Sequence, residues 1–186
     1  MKIIETDLPG VLLIEPKVVG DPRGFFVETF REEWLHQAGQ NLHFVQDNQS
    51  RSRQGVLRGL HYQLEQPQGK LVRCARGAVF DVAVDVRRGS PHFGRWTGAM
   101  LDDVTHRQIY IPPGFAHGFC VLSDEADFVY KCTDYYHAPS EAGVAWNDPA
   151  IGIAWPALAG GWLLSERDKA LPKLADQPRL PAYAPQ

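Results

Sequence analysis

Ala78-Val-Phe-Asp-Val-Ala-Val-Asp-Val-Arg87 alternates strictly between apolar and polar character over much of its length. In an extended chain Phe80, Val82, Val84 and Val86 point one way, and Asp81, Asp85 and Arg87 are among the residues pointing the other way, which predicts a half-buried strand. Short extended segments flank it. Downstream lie Trp96–Leu101 and Gln108–Ile111, separated by the turn-forming Asp102-Asp103 and closed by Pro112-Pro113-Gly114. Upstream, Gly55-Val-Leu-Arg-Gly-Leu-His-Tyr-Gln-Leu-Glu-Gln-Pro-Gln-Gly-Lys70 reads as a strand–turn–strand hairpin that sets Arg58, His61 and Lys70 among apolar residues. Many short strands at close spacing predict an all-β sandwich or barrel.

The N-terminal part fits that class. Between Ile3 and Val19, apolar bursts are broken by Pro9-Gly10 and Pro16, which favours brief edge strands over helix. Residues 20–30 open as a turn and continue as a strand bearing Arg23 and Glu28. Arg31 to Ala38 has helix-forming content and stops at Gly39, a residue suited to the position after a helix, so one short helix is expected there. From Phe44 the chain turns polar, with Gln46 and Asn48 on one face of an extended segment and Asp47 on the other. Ser165 with Asp168 three residues later fits a helix-capping pattern at the start of a turn or two of helix.

The 186 residues, 44% hydrophobic, suit a single domain over 1–186, with a tail from about residue 165 wrapping the barrel. Nineteen basic against twenty-two acidic side chains leave a net charge of −3, so no global field recruits nucleic acid or an anionic membrane. Cys74, Cys120 and Cys132 are odd in number and widely spaced, which predicts reduced, buried thiols rather than a disulfide framework or zinc ribbon. No apolar run approaches the roughly 18 to 20 residues that span a bilayer, and a cytoplasmic protein is expected.

Parity then gathers the chemistry. Phe115, His117, Phe119 and Val121 share one face, and so do Phe128, Tyr130 and Cys132, which turns a histidine and a phenol toward the core. Taken singly, each is as well explained by one satisfying hydrogen bond. Together with His61, Lys70 and Arg58 they supply a base, an acid and cations, the equipment for removing and returning a proton next to a carbonyl. Metal chemistry competes, because Pro112 to His117 resembles a cupin motif. Cupins hold metal with a His-x-His pair, however, and Tyr62 and Gln63 follow His61 here. Acid–base catalysis with no metal and no cofactor is the expectation.

Six segments, in this order and spacing, resemble the dTDP-4-dehydrorhamnose 3,5-epimerases: Gly20-Asp-Pro-Arg-Gly-Phe-Phe-Val-Glu28, Phe44-Val-Gln-Asp-Asn48, Leu57-Arg-Gly-Leu-His-Tyr-Gln63, Gly69-Lys-Leu-Val-Arg-Cys74, Ile111-Pro-Pro-Gly-Phe-Ala-His-Gly-Phe119 and Tyr130-Lys-Cys-Thr133. The likeness runs from about residue 3 to about 181. It implies a jelly-roll, cupin-like β-barrel or sandwich with a few short peripheral helices, and a homodimer sharing N-terminal strands. The implied activity is epimerisation of a dTDP-4-keto-6-deoxy sugar at C5 and C3 in dTDP-L-rhamnose synthesis.

By the same resemblance His61 is the general base, Asp168 its orienting partner, Lys70 the stabiliser of the C4 oxyanion and Tyr130 the acid on the opposite face. Arg23 and Glu28 fall to the nucleotide across the dimer, with Phe25 or Phe26 stacking on thymine. Gln46, Asp47, Asn48, Arg58, His117, Glu141 and Arg167 line the rest. Arg58 and His61, three residues apart, would face opposite ways in a regular strand unless Gly59 permits a bulge. Arg167 stands where many relatives carry lysine. A one-carbon epimerase, a metal-dependent cupin oxygenase and a non-catalytic sugar-nucleotide-binding cupin are the alternative readings.

Overall fold

The computed structural model describes residues 1–37, 39–40 and 42–184. In chain order its strands are β1 (Lys2–Glu5), β2 (Leu12–Glu15), β3 (Val18–Asp21), β4 (Gly24–Val27), β5 (Gln46–Arg53), β6 (Leu57–Gln63), β7 (Lys70–Arg76), β8 (Ala78–Asp85), β9 (Trp96–Asp102), β10 (Gln108–Ile111), β11 (Phe115–Val121), β12 (Glu125–Cys132) and β13 (Glu141–Gly143). Six form one sheet in the order β1-β2-β10-β7-β12-β5, and five form a second in the order β13-β6-β11-β8-β9. Every neighbouring pair is antiparallel. Each sheet keeps two free edges, so the jelly-roll fold takes the form of an open sandwich.

The sheets meet through one apolar layer. Val72, Cys74, Ile109, Ile111 and Phe128 of the first pack against Val79, Ala83, Phe115, Phe119 and Val121 of the second. Phe119 and Phe128 stack across the gap with centroids 3.8 Å apart. The inward parity read for Phe115, Phe119, Val121 and Phe128 is thus the parity of the core.

For β8 the expectation is inverted. Phe80, Val82, Val84 and Val86 face away from the sandwich interior and lie under a second cluster, where Val144, Ile151, Trp155, Leu174 and Leu180 from the C-terminal third cover them. Asp81 and Asp85, read as the solvated face, are wholly buried. A central strand covered on both sides loses its wet face, and its polar residues persist only with partners: Asp85 takes Arg87 and Ser90.

Two further expectations change. Gly55 to Lys70 is no hairpin: β6 lies in the second sheet and β7 in the first, and residues 64–69 cross between them with Gln66 at φ 53°. Pro67 in that connection has no N–H to offer a ladder. Nor is β2 an edge, since it runs between β1 and β10.

The helices are short. α1 (Glu32–Gln37) carries acids in its first turn, and Gly39, at φ +77°, donates its N–H to His36 O just beyond it. Ala38, the expected last residue of this helix, is outside the described residues. α1 packs Leu35 and Trp34 on the outer face of the first sheet. α2 (Glu166–Lys169) precedes a tail that makes backbone contacts with the second sheet and the loops beside it. Tyr62 donates to Arg179 O at 2.7 Å, Arg88 N to Pro181 O at 2.7 Å and Leu174 N to Asp148 at 2.7 Å.

Candidate active site

A cleft of about 520 Å³, within the range of small-molecule sites, opens between the sheets. β6 contributes Arg58 and His61, β11 His117 and Phe119, β7 Lys70, and β12 Phe128 and Tyr130; residues 163–168 close one side. His61, Lys70, His117 and Tyr130 therefore line one cleft, with His117 and Tyr130 on the inward side that parity implied, although Lys70 approaches from the facing sheet rather than from a strand paired with β6. Cys132, directly opposite Lys70 on β12, is a buried free thiol, as are Cys74 and Cys120.

The parity conflict between Arg58 and His61 is resolved by a bulge. The register of β6 against β11 shifts between the His61–His117 and Arg58–Phe119 pairs. Gly59 sits in this shift at φ +121°, and a Cβ there would come within 2.6 Å of Gly118 Cα and 2.8 Å of His117 O. Only glycine fits, and one extra residue of backbone turns both side chains to the same cleft. Arg58 is anchored by Ser52, whose hydroxyl accepts from Nη2 at 3.0 Å.

His61 Nε2 lies 2.7 Å from Asp168 Oδ1, bringing together residues 107 apart in sequence. The capping pattern has a different division of labour from the one the spacing predicts. Ser165 caps α2 by accepting from the Asp168 backbone N–H at 3.1 Å, which leaves the Asp168 carboxylate for histidine. Burial pushes that carboxyl upward, but hydrogen bonds from His61, Ser165 and the Gly59 N–H outweigh it and hold it below its ordinary range. An ionised Asp168 accepts from Nε2–H, which leaves the Nδ1 lone pair as the basic position of the ring.

The Lys70 ammonium makes no hydrogen bond or ion pair among the described residues. Burial lowers its pKa, opposed by Cys132, Glu141 and Asp81. Tyr130 is shifted the other way: burial raises its phenol, Cys132 adds to this and Arg58 opposes it. At the mouth, Glu141 Oε2 accepts from Tyr136 Oη at 2.7 Å and pairs with Arg167 Nη2 at 2.6 Å. Burial pushes the Glu141 carboxyl up, and these two partners bring it below its usual value. Arginine at 167 thus has a defined carboxylate partner.

Other expected residues lie apart from the cleft. Gln46 and Asn48 share the inner face of β5 and bond each other at 3.1 Å, while Asp47 points outward to Lys131 at 2.9 Å. Arg23 is paired with Asp21 and Glu28 with Arg31. Phe25 and Phe26 stand 61% and 71% exposed on the β3–β4 hairpin, which pairs with neither sheet. Within one protomer these four residues do not reach the cleft.

Sequence reading missed Ser52, Tyr136 and Asp81. The last accepts at 2.8 Å from His117 Nε2, and the available signal was an aspartate set between Phe80 and Val82 in a strand that the rest of the chain covers. Among the described residues no three His, Cys, Asp or Glu side chains gather as a cation site.

The arrangement holds a histidine hydrogen-bonded to a carboxylate, a half-buried lysine and a phenol with a raised pKa around one cavity. Comparison with known proteins agrees with that chemistry. The family model for dTDP-4-dehydrorhamnose 3,5-epimerase matches residues 5–176. A dTDP-4-dehydrorhamnose 3,5-epimerase of Neisseria gonorrhoeae is 58% identical over 170 residues, covering 91% of this chain and 52% of that protein. The Escherichia coli enzyme of the same name is 51% identical over 186 residues, covering 99% and 100%. Among solved structures, the Legionella pneumophila dTDP-6-deoxy-D-glucose-3,5-epimerase in complex with dTDP-4-keto-L-rhamnose superposes with a TM-score of 0.95 at 52% identity, over 99% of both chains. The chain belongs to the dTDP-4-dehydrorhamnose 3,5-epimerase family.

Proposed function

We propose that the protein epimerises dTDP-4-keto-6-deoxyglucose at C5 and C3 to give dTDP-4-keto-L-rhamnose. The observation that carries the reading is the 2.7 Å His61–Asp168 pair, in one cleft with Lys70 and Tyr130. His61 Nδ1 takes the proton from carbon next to the C4 carbonyl, and the imidazolium that forms is held by Asp168. The electron pair moves into the enolate, whose C4 oxygen is met by the Lys70 ammonium. Tyr130, kept protonated by its raised pKa, delivers its O–H proton to the opposite face. The phenolate and imidazolium then exchange protons with solvent, and the cycle repeats at the second carbon.

Arg58, Arg167, Glu141 and His117 bind the sugar diphosphate, and Gln46 and Asn48 extend the site along β5 beyond the cleft. Arg58 presents paired donors suited to a phosphate. Arg23, Glu28, Phe25 and Phe26 serve a partner's cleft in a homodimer, where Phe25 or Phe26 stacks on thymine; Asp47, facing outward to Lys131, serves the sheet. The enzyme works in the cytoplasm, where nucleotide sugars are made.

Turnover of dTDP-4-keto-6-deoxyglucose in deuterated water, followed by NMR of the product, tests the reaction. Deuterium at both C3 and C5 is expected. Label at one carbon makes the protein a mono-epimerase, and label at neither removes the epimerase reading.

A further inference from the structure

A second histidine–carboxylate pair stands beside the first. His117 Nε2 is 2.8 Å from Asp81 Oδ2, and His61 and His117 lie directly across from each other on β6 and β11. The pairs differ in environment, for the His61 side chain is 26% exposed whereas Asp81 is fully buried. Asp81 reaches the ring from β8, where it sits opposite Phe119 of β11. Its other oxygen, Oδ1, is buried without a hydrogen-bond partner among the described residues. His117 Nδ1 also has no partner among the described residues, and His117 lines the cleft. A carboxylate incompletely satisfied in a strand of valines and alanines is costly to the fold, and such a group calls for an explanation other than packing.

We propose that Asp81 is a positioning residue for the epimerisation: by accepting Nε2–H of His117 it fixes the tautomer whose Nδ1 lone pair faces the cleft, ready to accept a hydrogen bond from a hydroxyl of the sugar. This inference rests on the epimerase reading. It gives the ketosugar an anchor across from His61, so that ring orientation relative to the base is set from two opposed strands. Loss of Asp81 frees the ring to turn or change tautomer and lets the sugar sit in unproductive poses.

Asp81 also acts on Lys70. The charged and titratable groups that share the cleft with that ammonium or act on it are Arg53 on β5, Arg58 and His61 on β6, Asp81 on β8, His117 on β11, Tyr130 and Cys132 on β12, Glu141 on β13, and Arg167 and Asp168 on α2. Among them Asp81 is one of three that oppose the lowering of the Lys70 pKa by burial. Removing its charge moves Lys70 deprotonation, and with it the alkaline limb of kcat/KM, to lower pH. That limb reads the charge of Asp81 at Lys70, whereas kcat and the His117 tautomer read the positioning.

The experiment compares wild type, Asp81→Asn, His117→Gln and the double variant in the deuterium-exchange assay. Asp81→Asn is expected to lower kcat by roughly 10- to 100-fold, with its alkaline limb shifted to lower pH, and the double variant to be no slower than the slower single. Wild-type kcat in Asp81→Asn, or losses that multiply in the double variant, overturns the proposal. The ¹⁵N shifts of His117 in the unmutated protein provide a second readout if Asp81→Asn fails to fold. An Nε2–H tautomer supports the pairing and an Nδ1–H tautomer overturns it. Absence of wild-type exchange at C3 and C5 is a different outcome, one that removes the reaction while the tautomer still decides the pair.

Discussion

Lys70 shows how one residue trades stability for chemistry. A half-buried ammonium without a counter-ion in contact among the described residues destabilises the folded protein, and the lowered pKa expresses the same cost. The penalty falls where lysine is charged in the fold and is relieved as pH rises through the folded pKa. Lys70→Met should therefore raise stability at neutral pH by about 1 kcal/mol, seen as a Tm increase of roughly 2–4 °C, while abolishing turnover. An unchanged or lower Tm would argue against an unpaired, half-buried cation. Under the proposed mechanism the same titration should set the alkaline limit: kcat/KM is expected to decline as Lys70 loses its proton below the ordinary lysine range, where the raised phenol of Tyr130 is still protonated. Tyr130→Phe removes the acid and leaves the base, so deuterium exchange should persist while inverted product is lost. A variant that still inverts at the wild-type rate would transfer the acid role to another group.

At the scale of elements, the bulge in β6 makes the site possible. Gly59→Ala drives a Cβ into Gly118 and the His117 carbonyl at a φ of +121°, and should cost roughly 2–4 kcal/mol. Thermal unfolding would read this as a Tm lower by roughly 5–15 °C, with activity falling further because Arg58 and His61 no longer share a cleft. A stable, active Gly59→Ala would mean the strand can keep both side chains inward without the bulge.

Sequence pattern carried the strands well because period two is a local property: His117 and Tyr130 pointed inward as read. It failed at β8, where alternation names two faces but not the covering of each, and Val144, Ile151 and Trp155 supply that covering from more than fifty residues away. The same limit applies between β6 and β7. Adjacent strands joined by six residues look like a hairpin, and only the sandwich shows that the connection crosses from sheet to sheet. Asp168 was locally a plausible cap, and its partnership with His61 became legible only by resemblance.

On the scale of the whole molecule, the β3–β4 hairpin is out of keeping with the rest. It joins neither sheet, yet carries Val19, Phe25 and Phe26 largely in the open, and an apolar patch of this kind on a detached ribbon marks a surface for association. In the proposed homodimer the hairpin covers this patch against the partner and brings Arg23 to the nucleotide, where Arg23 exchanges its contact with Asp21 for a phosphate. Sedimentation of the wild type should therefore give twice the 20.8 kDa of the chain. Phe26→Glu places a charge in the covered patch and should shift the mass toward the monomer while raising KM for the dTDP-sugar, because one interface provides both association and part of the binding site. Arg23→Ala separates the two effects: it should raise KM by roughly tenfold or more, the loss expected of a charge-assisted contact, with the dimer mass unchanged. A wild-type monomer turning over at full rate would detach the hairpin from catalysis and leave Arg58 and Arg167 as the cations for the diphosphate.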